Sequence, residues 1–105
     1  MRQFDADHLA FLRQLQCVVC GDNTSVEAAH IRYASPEYDK PITGIGTKPD
    51  HKWTLPLCGR HHRDQHLGAE RLFWKRVGID PLRLASALWA VSGNLEAGER
   101  IIRRP

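Results

Sequence analysis

The ten-residue run 57–66, with the sequence LCGRHHRDQH, constrains the fold more than any other stretch of the chain. It holds two spacings typical of metal ligands: Cys58 and His61 are C-x-x-H, and His62 and His66 are H-x-x-x-H. Helical side chains four residues apart have Cβ atoms about 5–6 Å apart on one face, so two imidazoles can share an ion. The two pairs begin at different positions around the helix, so they predict two separate metal sites. One lies at the turn entering the helix and one on its first turns. Chance clustering on a basic surface is the alternative.

The cysteine count supports the first of these two sites. The chain has three cysteines, Cys17 and Cys20 in a C-x-x-C that ends at Gly21, and Cys58. A disulfide framework would leave one cysteine over, whereas three thiolates and one histidine complete a tetrahedral zinc site. We therefore predict a structural zinc on Cys17, Cys20, Cys58 and His61. Two buried cysteines in a valine-rich strand and a redox C-x-x-C are the alternatives, but no thioredoxin-like pattern surrounds the motif.

Length and composition indicate one small globular domain. A chain of 105 residues with 42% hydrophobic and 26% charged residues builds a modest core, which a structural metal would help to stabilise. The formal net charge of +3 weakly favours an anionic partner such as nucleic acid. No signal peptide or membrane-spanning stretch is evident, and free thiols suit a reducing compartment, so we expect a cytoplasmic protein with no membrane partner.

Hydrophobic periodicity predicts an α+β fold of short elements. Strands are expected over 26–31 and 53–57, the second at a sheet edge because it contains Pro56. Helices are expected over 4–16, from the metal-rich turn to about 67, and over 69–77, 81–92 and 95–104. In the helix 69–77, Leu72, Phe73 and also Val77 are expected to face inward, and Trp74 is expected in the core rather than in a ligand site. The loop 32–52 is rich in Gly, Pro and charge, and loops of this length in small domains are usually functional.

The order of these motifs resembles the HNH (ββα-metal) endonuclease superfamily and, more narrowly, phage- and prophage-encoded HNH proteins of the Ref and YbcO-like kind. The resemblance covers roughly residues 15–67, within a single domain that ends in a helical extension over about 69–104. It implies a zinc-stabilised ββα-metal core with an N-terminal helix and C-terminal helices. The residues that carry it are Cys17 and Cys20, Ala28-Ala29-His30-Ile31-Arg32, the segment from Gly44 to Asp50, and Leu57-Cys58-Gly59-Arg60-His61-His62 with His66.

The resemblance implies a metal-dependent DNA endonuclease or nickase. His30 matches the general base that activates water for attack on a phosphodiester, and it must be neutral to accept a proton. His62 and His66 match ligands of a catalytic divalent metal, which could be Mg²⁺, Mn²⁺, Ni²⁺ or Zn²⁺ and would stabilise the leaving oxygen. The same resemblance places the structural zinc on the three cysteines, with His61 in the place of the usual fourth cysteine.

Two positions depart from the family pattern. Many members have a metal ligand immediately before the base, where this chain has Ala29, and we expect Asp50 or His51 to supply the missing ligand. The middle asparagine of the HNH motif has no clear counterpart, since Trp53 or Thr54 occupies its approximate place. These departures affect the expected activity more than the expected fold.

Basic side chains in the loop and on the metal-bearing helix are the predicted DNA contacts, because phosphates are bound by Lys and Arg. A solvated charged surface is the alternative for each of them. Two other functions are weighed: a non-catalytic zinc-stabilised DNA-binding module, and a phage protein that acts with a recombinase such as RecA in the bacterial cytoplasm, as Ref-type nucleases do. The predicted contacts are Arg32, Lys48, Lys52, Arg60 and Arg63, and Lys40 in the loop could also meet a phosphate.

Overall fold

The computed structural model describes residues 5–33, 35–38, 40 and 50–103. In these ranges the chain forms a two-stranded sheet and five helices, which confirms the predicted α+β class at that level. No helix in this part of the chain has the length and apolar character of a membrane span. The elements are α1 (Ala6–Arg13), β1 (Val26–His30), β2 (Thr54–Cys58), α2 (Gly59–Gln65), α3 (Glu70–Val77), α4 (Pro81–Ala90) and α5 (Leu95–Arg103), with a 3₁₀ turn at Pro36–Tyr38.

The two strands form the frame of the candidate site. They run antiparallel with Val26 opposite Cys58 and His30 opposite Thr54, so the cysteine and the histidine lie at opposite ends of the hairpin. Both strands are edges, which is why Pro56 is tolerated, as predicted. Helix α2 starts at the Cys58 end and is about 10 Å long at 1.5 Å per residue, enough to return to the His30 end. One helix therefore connects both predicted sites.

The hydrophobic core draws on both strands and on every helix except α2. Its fully buried side chains come mostly from α1, β2, α3 and α4, and the sheet packs against α1 and α4. In α3 the predictions for Phe73 and Trp74 are confirmed, since both are buried, but the prediction for Leu72 is wrong, because Leu72 is 62% exposed. The inward face is set by Glu70, Phe73, Trp74 and Val77, which share helical spacing, and Leu72 lies outside that stripe.

The helix ends lie within three residues of the predicted bounds. Asp5 caps α1, with Oδ1 accepting the N–H groups of residues 7 and 8 at 2.9 and 3.2 Å, and the helix stops at Arg13 rather than at 16. Helix α2 stops at Gln65, so His66 is its C-cap rather than a residue inside it. Asp80 caps α4 as predicted. In the predicted loop 32–52, the segment 41–49, including Lys48, lies outside the described residues.

Candidate metal centre and histidine cluster

Cys17, Cys20, Cys58 and His61 form one cluster. Their ligand atoms all lie within 4.8 Å of one another, which confirms that the four predicted residues come together and can hold a metal such as zinc. Cys58 Sγ is 3.2 Å from His61 Nδ1, Cys17 Sγ is 3.8 Å from the same nitrogen, and Cys20 Sγ is 3.9 Å from Cys58 Sγ. The thiols are free, so no disulfide competes for them.

Two short backbone motifs place these ligands. After Cys17 the chain turns back, with the Gly21 N–H donating to the Cys17 carbonyl at 2.9 Å and Gly21 at φ 80°, a conformation that favours glycine. The Val18 N–H donates to the Pro56 carbonyl at 3.0 Å and ties this turn to β2. Cys58 is both the last residue of β2 and the N-cap of α2, so His61 follows on the first helical turn.

The three sulfur–sulfur and sulfur–nitrogen distances given above are close to those that a zinc ion imposes. Zn–S bonds of about 2.3 Å and Zn–N bonds of about 2.0–2.1 Å in a tetrahedron put sulfurs roughly 3.8 Å apart and sulfur and nitrogen roughly 3.6 Å apart. The observed sulfur–sulfur distance of 3.9 Å is close to the first value, and the sulfur–nitrogen distances of 3.2 and 3.8 Å lie on either side of the second. The donor set of three sulfurs and one imidazole is that of a closed structural site.

The electrostatics of the thiols also point to a cation. Burial opposes ionisation of Cys17, but backbone hydrogen bonds from Cys58, Cys20 and Val19 outweigh it and lower the pKa of this thiol. The pKa of Cys20 is raised: the backbone N–H of Asp22 lowers it, and burial together with the Cys17 and Cys58 sulfurs more than reverses that effect. Adjacent thiols cannot all ionise without a positive charge between them, which a divalent metal supplies.

His30 ends β1 at the opposite end of the hairpin and is half-buried. Burial, followed by the positive fields of His51, Arg32 and His62, lowers the pKa of His30 from 6.5 to about 4. Its imidazole is therefore neutral at pH 7 and able to accept a proton, which is the state required of a general base.

His62 and His66 lie beside each other, with ring centroids 5.1 Å apart, as their spacing predicted. His62 Nδ1 is 2.6 Å from a carboxylate oxygen of Glu27 on β1. A carboxylate on one ring nitrogen fixes the tautomer and leaves the other nitrogen to bind a metal. Burial, then the fields of His62 and Arg32, lower the pKa of His66. The His66 ring is thus disposed toward the neutral, ligating form.

The predicted extra ligands, Asp50 and His51, differ from each other in their hydrogen bonds. His51 is buried and its Nδ1 accepts the backbone N–H of Asp5 at 2.7 Å, while its ring centroid lies 6.1 Å from that of His30. Asp50 Oδ1 is buried and has no hydrogen-bond partner. Across the described ranges, the Cys₃His cluster is the one group of three or more ligand-type side chains whose atoms all lie close together. The second metal site stays a prediction.

A hydrogen-bond network that the sequence did not reveal surrounds the backbone of His30. The buried Gln65 on α2 donates to the His30 carbonyl at 2.9 Å and to Glu70 at 2.9 Å. Glu70 also accepts from the Arg32 N–H at 3.1 Å and the Trp74 indole N–H at 2.9 Å. The only sequence signal for these residues was an acidic side chain in the first turn of a helix, which is common without any function.

The predicted basic contacts are only partly at the surface. Arg32, Arg60 and Arg63 are exposed, and Lys52 lies with Nζ 4.8 Å from the Trp53 ring centroid. Lys40, also considered in the loop, is 4% exposed and offers no open phosphate contact. Burial lowers the pKa of Lys40.

No family model, curated protein or solved structure matches the chain. The functional interpretation therefore follows from the arrangement of its own residues.

Proposed function

We propose that the chain is a metal-dependent DNA endonuclease or nickase of the HNH kind. The observation that carries the proposal is the half-buried His30, whose pKa of about 4 keeps it neutral within the electrostatic reach of His62. A general base that works at neutral pH must be unprotonated, and a phosphodiesterase needs such a base next to a cation-binding position.

The residues divide into three roles in this proposal. His30 accepts the proton of the attacking water. His62 and His66 hold a divalent metal, whose chemistry when bound is to neutralise charge on the phosphate and the leaving oxygen. Glu27 fixes the tautomer of His62 through its 2.6 Å contact with Nδ1. The exposed Arg32, Arg60 and Arg63 contact the phosphate backbone, and the Cys₃His cluster holds a structural zinc that joins the turn at Cys17 to α2.

Plasmid nicking tests the proposal directly. The wild-type protein, His30→Ala and His66→Ala are compared with Mg²⁺, Mn²⁺ and Ni²⁺, with EDTA as the blank. Arg103→Ala, at the exposed end of α5, shows that a substitution outside the site leaves cleavage intact, while cleavage by both histidine variants would reveal a contaminating nuclease. We expect the wild type and Arg103→Ala to cleave and both histidine variants to fail. Equal cleavage by His30→Ala contradicts the assigned base.

A zinc-stabilised DNA-binding module is the second candidate. It is favoured by the fact that, within the described part of the chain, three or more ligand-type groups converge at the Cys₃His cluster alone. Salt-dependent DNA binding without cleavage under any of the three metals supports this candidate. The same assay repeated on DNA coated with a recombinase such as RecA separates it from a nuclease that requires that partner.

A further inference from the structure

Glu70 lies where three parts of the chain meet. It is the first residue of α3, and its carboxylate accepts hydrogen bonds from the Arg32 backbone N–H, the Gln65 side chain and the Trp74 indole at 3.1, 2.9 and 2.9 Å. Gln65 and Trp74 are 1% and 2% exposed, so water does not compete for these donors. One carboxylate thus joins the end of β1, helix α2 and helix α3.

The same carboxylate controls the backbone on both sides of Ile31. On one side it holds the Arg32 N–H directly. On the other it holds Gln65, whose amide nitrogen also donates to the His30 carbonyl at 2.9 Å. The orientation of that amide is determined, because the flipped amide would turn an oxygen toward two acceptors. Glu70 and Gln65 therefore hold the backbone next to His30 by hydrogen bonds on both sides of Ile31, and we call these two residues the clamp.

The chemistry of the clamp requires a carboxylate. All three partners of Glu70 are N–H donors, and a carboxylate offers only acceptors. A glutamine at this position would turn an NH₂ group toward at least one N–H. Loss of a charge-assisted hydrogen bond lets the backbone move so that the unpaired N–H recovers a partner.

We propose that Glu70 is a positioning residue for His30. It contacts neither phosphate nor metal; it fixes the direction in which the His30 imidazole leaves the strand, through the Arg32 N–H and through Gln65. This role rests on the proposed nuclease function for its effect on rate, but the position of the imidazole can be measured without any cleavage.

The test compares Glu70→Gln with Glu96→Gln in the full chain loaded with zinc. Glu96 is an exposed acid that pairs with Arg100 at 2.6 Å on α5, so its variant repeats the chemical change away from the clamp. Zinc content and thermal unfolding establish that each variant is folded. The imidazole resonances of His30 and His61 are then followed by NMR, and plasmid nicking is measured over a range of DNA concentrations.

We expect Glu70→Gln to shift the His30 resonances while those of His61 stay in place. Its kcat for nicking should fall about 10- to 100-fold, the scale of a small misplacement of a catalytic group, with KM little changed. Glu96→Gln should match the wild type in every measurement. A folded Glu70→Gln protein with wild-type His30 resonances and wild-type kcat overturns the proposal.

Two further measurements apply if the wild type does not cleave DNA or if Glu70→Gln does not fold. If the wild type does not cleave, the nuclease function fails, and the His30 resonances alone decide the role of Glu70. If Glu70→Gln does not fold, Gln65→Met tests the clamp from its other end, since it keeps the side-chain length and removes both donors. Unchanged His30 resonances in a folded Gln65→Met protein overturn the proposal, and shifted ones support it.

Discussion

Nδ1 of His62 lies 2.6 Å from a carboxylate oxygen of Glu27, so strand β1 and helix α2 are joined at the candidate catalytic site. A carboxylate at Nδ1 favours the tautomer with the proton on Nδ1, in which Nε2 is the nitrogen that would bind a metal. Carboxylate–histidine pairs of this kind are typical of metal ligands, in which the outer residue raises ligand basicity and fixes the ring.

Glu27→Ala is expected to weaken binding of the catalytic metal about 10- to 100-fold without unfolding the protein. The carboxylate is half-exposed, so its loss costs little stability, but the His62 ring loses its fixed orientation. The metal concentration that gives half-maximal nicking measures the effect. Glu37→Ala, an exposed acid in the 3₁₀ turn, is the control. An unchanged metal requirement in Glu27→Ala would show that Glu27 does not support a ligand.

Cys20→Ser tests the structural zinc more sharply than a buried cysteine would. Cys20 is exposed, and an exposed Cys→Ser change without a metal should alter stability by no more than about 0.5 kcal/mol. If Cys20 is a zinc ligand, the substitution should lower the free energy of unfolding by at least about 3 kcal/mol. For a domain of this size, that lowers Tm by more than about 10 °C. Wild-type protein stripped by a chelator should show a comparable loss. The idea fails if Cys20→Ser melts at the wild-type temperature with no metal bound.

His30 should remain neutral far below the pH at which histidine normally titrates. Its pKa is about 4 in the folded protein and 6.5 when unperturbed, so between these values the unfolded chain binds a proton that the folded chain does not. The contribution of His30 to stability is therefore complete above about pH 6.5 and is lost as the pH falls toward 4. NMR titration of the imidazole measures the midpoint directly, and His30→Gln should flatten the pH dependence of stability. A midpoint near 6.5 contradicts the expected burial.

Gly98→Ala is expected to destabilise the fold although alanine favours helices. A Cβ at this position of α5 would lie 2.9 Å from Cζ of Phe11 and 3.2 Å from Cδ2 of Leu15. Overpacking of about 1–3 kcal/mol should exceed the gain of about 1 kcal/mol in helix propensity. Chemical denaturation measures the net change, and Glu96→Ala on the exposed face of α5 is the control. A more stable Gly98→Ala protein would show that α1 and α5 can separate without cost.

The Cys₃His cluster was predictable because each half of it is local in sequence. C-x-x-C and C-x-x-H each place two ligands within one turn, and the odd cysteine count indicated that the halves meet. Helix starts such as Asp80-Pro81 were predictable for the same reason, since capping depends on neighbours in the chain.

The contacts around His30 were not predictable because they join distant positions. Glu27 and His62 are 35 residues apart, and Glu70 and Arg32 are 38 apart, so no local spacing marks them. The error at Leu72 has a related cause. Leu72, Phe73 and Trp74 are adjacent in sequence, so either Leu72 or Trp74 can share the buried face with Phe73, and the hydrogen bond from Trp74 to Glu70 favours the face that includes Trp74.

Cys17 and His61 are 44 positions apart, so a metal bound at the cluster would close a loop that contains both strands. A single proteolytic cut between residues 20 and 58 would leave two fragments that each keep part of the ligand set. Such a nicked protein should run as two bands on a denaturing gel but elute as one species from a sizing column. A chelator added to the nicked protein would remove the metal, so the two fragments should no longer be held together at this end of the hairpin.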